Sequence, residues 1–110
     1  MTAGVTGATF YTSFTRRGLS SELVFESPNA DVNLTRIQAL HLKRRLMEAA
    51  YEGPLDWQEL PGKKATRIAD YLPDADLTDE DEWESYLAWL LDRQSRIRTA
   101  LSSVGGIPEV

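Results

Sequence analysis

The chain has 110 residues, 42% hydrophobic and 26% charged, the composition of one ordinary globular domain with room for a real core. It contains no cysteine, which excludes disulfides, thiolate chemistry and cysteine metal sites. A net charge of -5 argues against a surface built mainly to bind phosphate, although a local basic patch is still compatible with it.

Residues 1–7 are small and polar and read as a loose start. They lack the charged beginning and apolar run of a secretory signal. No stretch reaches the ~20 apolar residues that a membrane span needs. A cytoplasmic protein without membrane contact is the expectation.

From Ala8 the period is two: Ala8, Phe10, Thr12 and Phe14 alternate with Thr9, Tyr11 and Ser13. This predicts a strand over about 8–15. Arg16, Arg17 and Gly18 form a hairpin loop in which Gly18 supplies positive φ. A second strand is expected over about 19–27, ending at Ser27-Pro28, because Pro28 cannot donate a ladder bond.

Asp31 or Asn33 is the expected cap of a single helix from about Val32 to Glu52, stopped by Gly53-Pro54. Its apolar residues fall in two rows. One is Ile37, Leu40, Met47 and Tyr51; the other is Ala39, Leu42, Leu46 and Ala50. One row should meet the sheet and the other the second helix or a partner chain.

Strands are predicted at about 55–60 and 65–72, separated by the Pro61-Gly62 turn. Thr78 is the expected cap of a long helix whose first turn is crowded with Asp79, Glu80, Asp81 and Glu82. That helix runs to about Val104. Trp83, Tyr86, Leu87, Leu90, Leu91, Gln94, Ile97, Leu101 and Val104 share one arc. Trp83, Tyr86 and Trp89 are expected mainly in the core. Gly105-Gly106 ends the helix, leaving 105–110 as a tail.

The order ββαββα predicts an α+β domain over residues 8–104. Its sheet is four-stranded and mainly antiparallel, with two long helices packed on one face. Phe10, Phe14, Tyr11, Val24 and Tyr71 cannot all point inward, so the other face, with Tyr11 and Tyr71, is a candidate interface.

The chemistry is limited by what is missing. No Asp or Glu is followed two residues later by lysine, as a restriction-type nuclease site needs. An EF-hand loop read from Asp74 would require glycine where Asp79 stands and glutamate where Ser85 stands. His41 is the only histidine and lies on the polar side of its helix, beside Lys43 and Arg44. There is no P-loop. Hence no catalytic residue, metal or cofactor is expected.

Two features remain. Arg16 and Arg17 lie in one turn, with Lys63, Lys64 and Arg67 at another. If both turns emerge at one end of the sheet, five cations converge where they could hold a nucleic-acid backbone. Trp89, at the rim of the apolar arc near Arg93, is a candidate anchor for a protein partner or a homodimer.

The chain also resembles a family known as domain of unknown function 4268. The matching pieces are Asn33, Ile37 and Leu40; Met47-Glu48; Gly53-Pro54-Leu55-Asp56-Trp57; Gly62-Lys63-Lys64-Ala65-Thr66-Arg67-Ile68; and Trp83 with Trp89-Leu90. The resemblance covers about residues 8–101. It implies that Asn33, Glu48, Trp57, Gly62 and Trp83 form a structural signature, with Arg67 paired to Glu48 or Glu59 or turned outward to a ligand. Members often follow a nuclease-like half of restriction or defence type, which is lacking here. The resemblance therefore implies an accessory role beside such a protein rather than catalysis.

Overall fold

A computed structural model describes residues 4–15 and 18–109. Strands β1 (Ala8–Thr15) and β2 (Gly18–Phe25) form the expected hairpin, paired from Ala8 with Phe25 to Thr15 with Gly18. Helices α1 (Ala30–His41) and α2 (Arg44–Tyr51) follow, then the short β3 (Asp56–Gln58) and β4 (Thr66–Leu72). A 3-10 turn at Glu80–Glu82 leads into α3 (Trp83–Ser103). The four strands run β1-β2-β4-β3 across the sheet, and every neighbouring pair is antiparallel.

Side chains alternate along each strand, so the register sorts them onto two faces. Phe10, Leu23, Phe25 and Ile68 share one face with Ala8. They meet Ile37, Leu40, Met47, Tyr51, Ile97 and Leu101 of the helices in a single core. The opposite face carries Thr9, Tyr11, Ser13, Ser20, Glu22, Arg67 and Tyr71, and no core helix packs on it.

The helix expected over 32–52 is two helices. Lys43 N donates to Leu40 O at 2.8 Å, a tight three-residue bond, and Lys43 sits at φ -104° and ψ 19°. The chain bends there although no glycine or proline marks the place, so apolar periodicity alone runs straight through it. The bend brings Ile37 and Leu40 of α1 and Met47 and Tyr51 of α2 into one core. The two leucines of the alternate row are left outside, Leu42 at 90% and Leu46 at 64% exposure, while Ala50 packs against the core.

Neither expected cap holds. Asn29 caps α1, its Oδ1 accepting from Asp31 N at 2.9 Å. Thr78 gives its hydroxyl to Asp76 at 2.7 Å instead of capping, and α3 starts from the 3-10 turn without a side-chain cap. Asn33 is fully buried. Its Oδ1 accepts from Ser27 N at 2.8 Å, and its Nδ2 donates to Ser27 O at 2.9 Å and Lys64 O at 3.0 Å. Thr66 Oγ1 then donates to Asn33 O at 3.0 Å. One side chain and its carbonyl thus join the end of β2, the start of α1 and the approach to β4.

Candidate interaction surface

The signature residues are occupied with structure. Glu48 Oε2 accepts from Leu55 N at 2.8 Å and from Trp57 Nε1 at 3.4 Å, fastening β3 to α2. His41 meets the Trp57 ring edge-on at 5.2 Å. Gly62 turns the chain at φ 82°. Arg67 pairs with neither Glu48 nor Glu59; its NH1 donates to Glu22 at 3.1 Å on the open sheet face.

The expected convergence of basic residues rests in part on residues that are not described. Arg16 and Arg17 lie outside the described residues, but the strand ends they join are placed: Leu19 pairs with Leu72. Lys63 and Lys64 precede Thr66, which pairs with Phe25 at the other end of β2. Leu19 and Phe25 therefore mark opposite ends of the sheet, roughly 20 Å apart at about 3.4 Å per residue, and Lys63 and Lys64 lie by the Phe25 end. Lys63 and Lys64 are exposed, whereas Arg67 is already held by Glu22.

The open face is more polar than its aromatics suggest. Tyr11 OH donates to Glu26 at 2.7 Å, and Tyr71 OH accepts from Gln58 at 2.8 Å. Glu22, only 6% exposed, accepts from Ser20 at 2.6 Å and Ser13 at 3.0 Å in addition to Arg67. Burial works against its charge, but the bonds from Ser20, Arg67 and Ser13 together outweigh burial and hold the carboxyl below its ordinary value of 4.5. A depressed carboxyl stabilises the fold above its unfolded value and loses that contribution as pH falls through the folded one. Glu22→Gln is therefore expected to cost about 2 kcal/mol at neutral pH. The gap from the parent protein should begin to narrow as pH falls below the ordinary value of 4.5 and close only below the depressed folded one. Denaturant melts of both proteins across that range check it.

The uncovered surface lies elsewhere, on α3. Its arc is continuous in sequence, but the sheet covers only its C-terminal half, where Ile97, Ala100 and Leu101 are buried. Gln94 reaches Ser21 at 3.0 Å, and Arg93 lies 3.7 Å from Asp70. Among the described residues, Arg93 makes the last polar tie from α3 to the sheet. Towards its N-terminus the helix runs on past the sheet. There Trp83, Leu87 and Leu91 are 50%, 58% and 64% exposed, with Leu77 beside them at 52%.

This corrects the expected core placement of Trp83, Tyr86 and Trp89. Tyr86 and Trp89 are only half-buried. The Tyr86 OH is engaged by Asp76 N at 2.9 Å, and the Trp83 Nε1 donates to Leu77 O at 2.8 Å. Trp89 packs against Arg93, whose guanidinium lies 5.7 Å from the ring and also leans on Tyr51 and Asp70. The Trp89–Arg93 pair thus helps attach the helix, and Trp83 is the tryptophan turned to the outside. The physical causes are length and angle. A helix of 21 residues spans about 30 Å, about one turn more than the 8 residues of β2. At about 100° per residue Leu87 and Leu91 also turn toward the edge of the arc, away from Ile97 and Ala100. The exposed leucines were present in the sequence arc, but nothing in a periodic pattern says where its cover ends.

The family model described as "Domain of unknown function (DUF4268)" matches residues 1–104. The chain belongs to this family. No curated protein and no solved structure matches it. In this DUF4268 domain Asn33, Glu48, Trp57 and Gly62 build the fold, so the family match accounts for its architecture. Among the described residues of the DUF4268 domain, no His, Asp and Glu side chains gather in a group that could hold a metal. Among the same described residues, no helix is long and apolar enough to cross a membrane.

Proposed function

We propose that this chain is a non-catalytic interaction module that self-associates through the N-terminal half of α3. The observation that carries this reading is the stripe Trp83, Leu87 and Leu91. Its spacing of four residues places three large apolar side chains on one helix face, and all are at least half exposed. Burying such a side chain fully is worth roughly 1.5–3 kcal/mol, and contiguous uncovered patches of this kind mark interaction sites. Asp79, Glu80, Asp81, Glu82 and Glu84 flank the stripe without an ion pair among the described residues. The matching surface is therefore apolar and basic.

A partner of nuclease or defence type rests on family resemblance alone. The nucleic-acid alternative draws little support from the fold, because Arg67 is engaged by Glu22 and, of its five cations, only Lys63 and Lys64 are described as exposed.

Sedimentation equilibrium over a wide concentration range tests the reading. The expected result is a mass that rises above 12.4 kDa with concentration. Leu87→Asp should weaken association at least tenfold while leaving the far-ultraviolet circular dichroism unchanged. A constant 12.4 kDa at every concentration would overturn the proposal.

A further inference from the structure

The bend between α1 and α2 leaves a second apolar feature. Leu42 and Leu46, at 90% and 64% exposure, rim a shallow groove of about 270 Å³ lined also by His41, Lys43, Arg44 and Arg45. Three consecutive cations sit inside this apolar knuckle. Arg44 is held only loosely, 3.9 Å from Glu48, and Arg45 has no ion pair among the described residues.

The knuckle and the α3 stripe cannot cover each other within one chain. Lys43 Nζ donates to Val104 O at 3.2 Å, which places the knuckle by the C-terminal end of α3. The stripe occupies the other half of that helix, some 20 Å or more away at 1.5 Å per residue.

The two surfaces are complementary: one is leucine with lysine and arginine, the other tryptophan and leucine with five carboxylates. A symmetric stripe-on-stripe pairing would offer those carboxylates Arg93 and Arg96. Both are already engaged in their own chain, Arg93 with Asp70 and Arg96 with Asp92 at 2.9 Å. Of the knuckle's cations, Lys43 reaches Val104 O and Arg44 lies 3.9 Å from Glu48, while Arg45 has no ion pair among the described residues and is exposed.

We infer that the α3 stripe of one copy docks on the Leu42–Leu46 knuckle of the next, head to tail. This rests on the self-association proposed above and names the opposing surface. Such a contact uses two different patches, so it propagates into a ring or a filament unless its ends are blocked.

Mixing two variants tests it. Leu87→Asp disables the stripe and Leu46→Asp the knuckle, and both positions are exposed in the folded chain. The parent protein should grow beyond a dimer with concentration. Each variant alone should stay at 12.4 kDa, and an equimolar mixture should form a one-to-one pair that grows no further. Leu42→Gln, at a side chain already almost wholly in water, should reproduce the Leu46→Asp result without risk to the fold.

If Leu46→Asp and Leu42→Gln associate as the parent does, the knuckle is not the docking surface and this inference falls, while association through α3 stands. If the parent itself never exceeds 12.4 kDa, both fall together.

Discussion

Asn33→Ala is expected to remove about 3–5 kcal/mol of stability, enough to unfold a large part of a domain whose total is on the order of 5–15 kcal/mol. The side chain is fully buried and makes three hydrogen bonds to backbone groups of Ser27 and Lys64. Alanine would leave one donor and two acceptors without this partner around a buried side-chain position. Each such orphan costs roughly 1–3 kcal/mol, more than an ordinary hydrogen bond contributes when both partners are in place. Urea titration should show the midpoint falling sharply with little change in slope. Asn29→Ala serves as the control. It removes only an exposed cap, so it should cost about 1 kcal/mol. Equal effects at the two positions would mean that Asn33 is not the joint described above.

The second large effect is expected at Gly18. Its φ is 101°, and a β-carbon there would press into the carbonyl oxygen of Leu72. That oxygen belongs to the backbone of β4, and Leu19 is paired with Leu72 itself, so neither side can yield without loosening the register. Gly18→Ala should therefore cost about 3 kcal/mol or more, combining a strained backbone with a clash against main chain. Gly62→Ala separates the two contributions. Gly62 has a similar φ of 82° but no atom within 4 Å of the added carbon, so only the conformational cost of about 1–2 kcal/mol remains. Thermal melts of the two variants should differ by several degrees, Gly18→Ala being the lower.

The sequence made the need for glycine at position 18 readable, since a hairpin loop there calls for positive φ. It could not reveal Leu72, because the second reason depends on which strand lies beside β2. The same boundary runs through the rest of the chain. The alternation of Phe10 with Tyr11, and of Ile68 with Arg67, is local, and it located β1 and β4 to within a residue. The 3.6-residue arc located the end of α3 to within a residue, but the helix begins at Trp83, several residues past the expected Thr78 cap. The bend at Leu42-Lys43 carries no local marker; it is imposed by a core that needs both Leu40 and Met47. Arg67 could have met any of several carboxylates, and only the insertion of β4 next to β2 selects Glu22. Exposure of Trp83 and Leu87 was hidden for a similar reason. An apolar arc records what a helix offers, and the extent of the sheet decides how much is accepted.

The strand order has a consequence for the birth of the fold. The β1–β2 hairpin closes between near neighbours, and can form as soon as it has been synthesised. Its second edge waits, because Leu19 meets Leu72 and Phe25 meets Thr66. Bringing residues so distant in sequence together slows folding, and an edge left open meanwhile invites mispairing with other chains. Glu22 stands in the middle of that edge. Until β4 arrives it places a negative charge where a stray strand has none to match it, and β4 then delivers Arg67 as the intended counterpart.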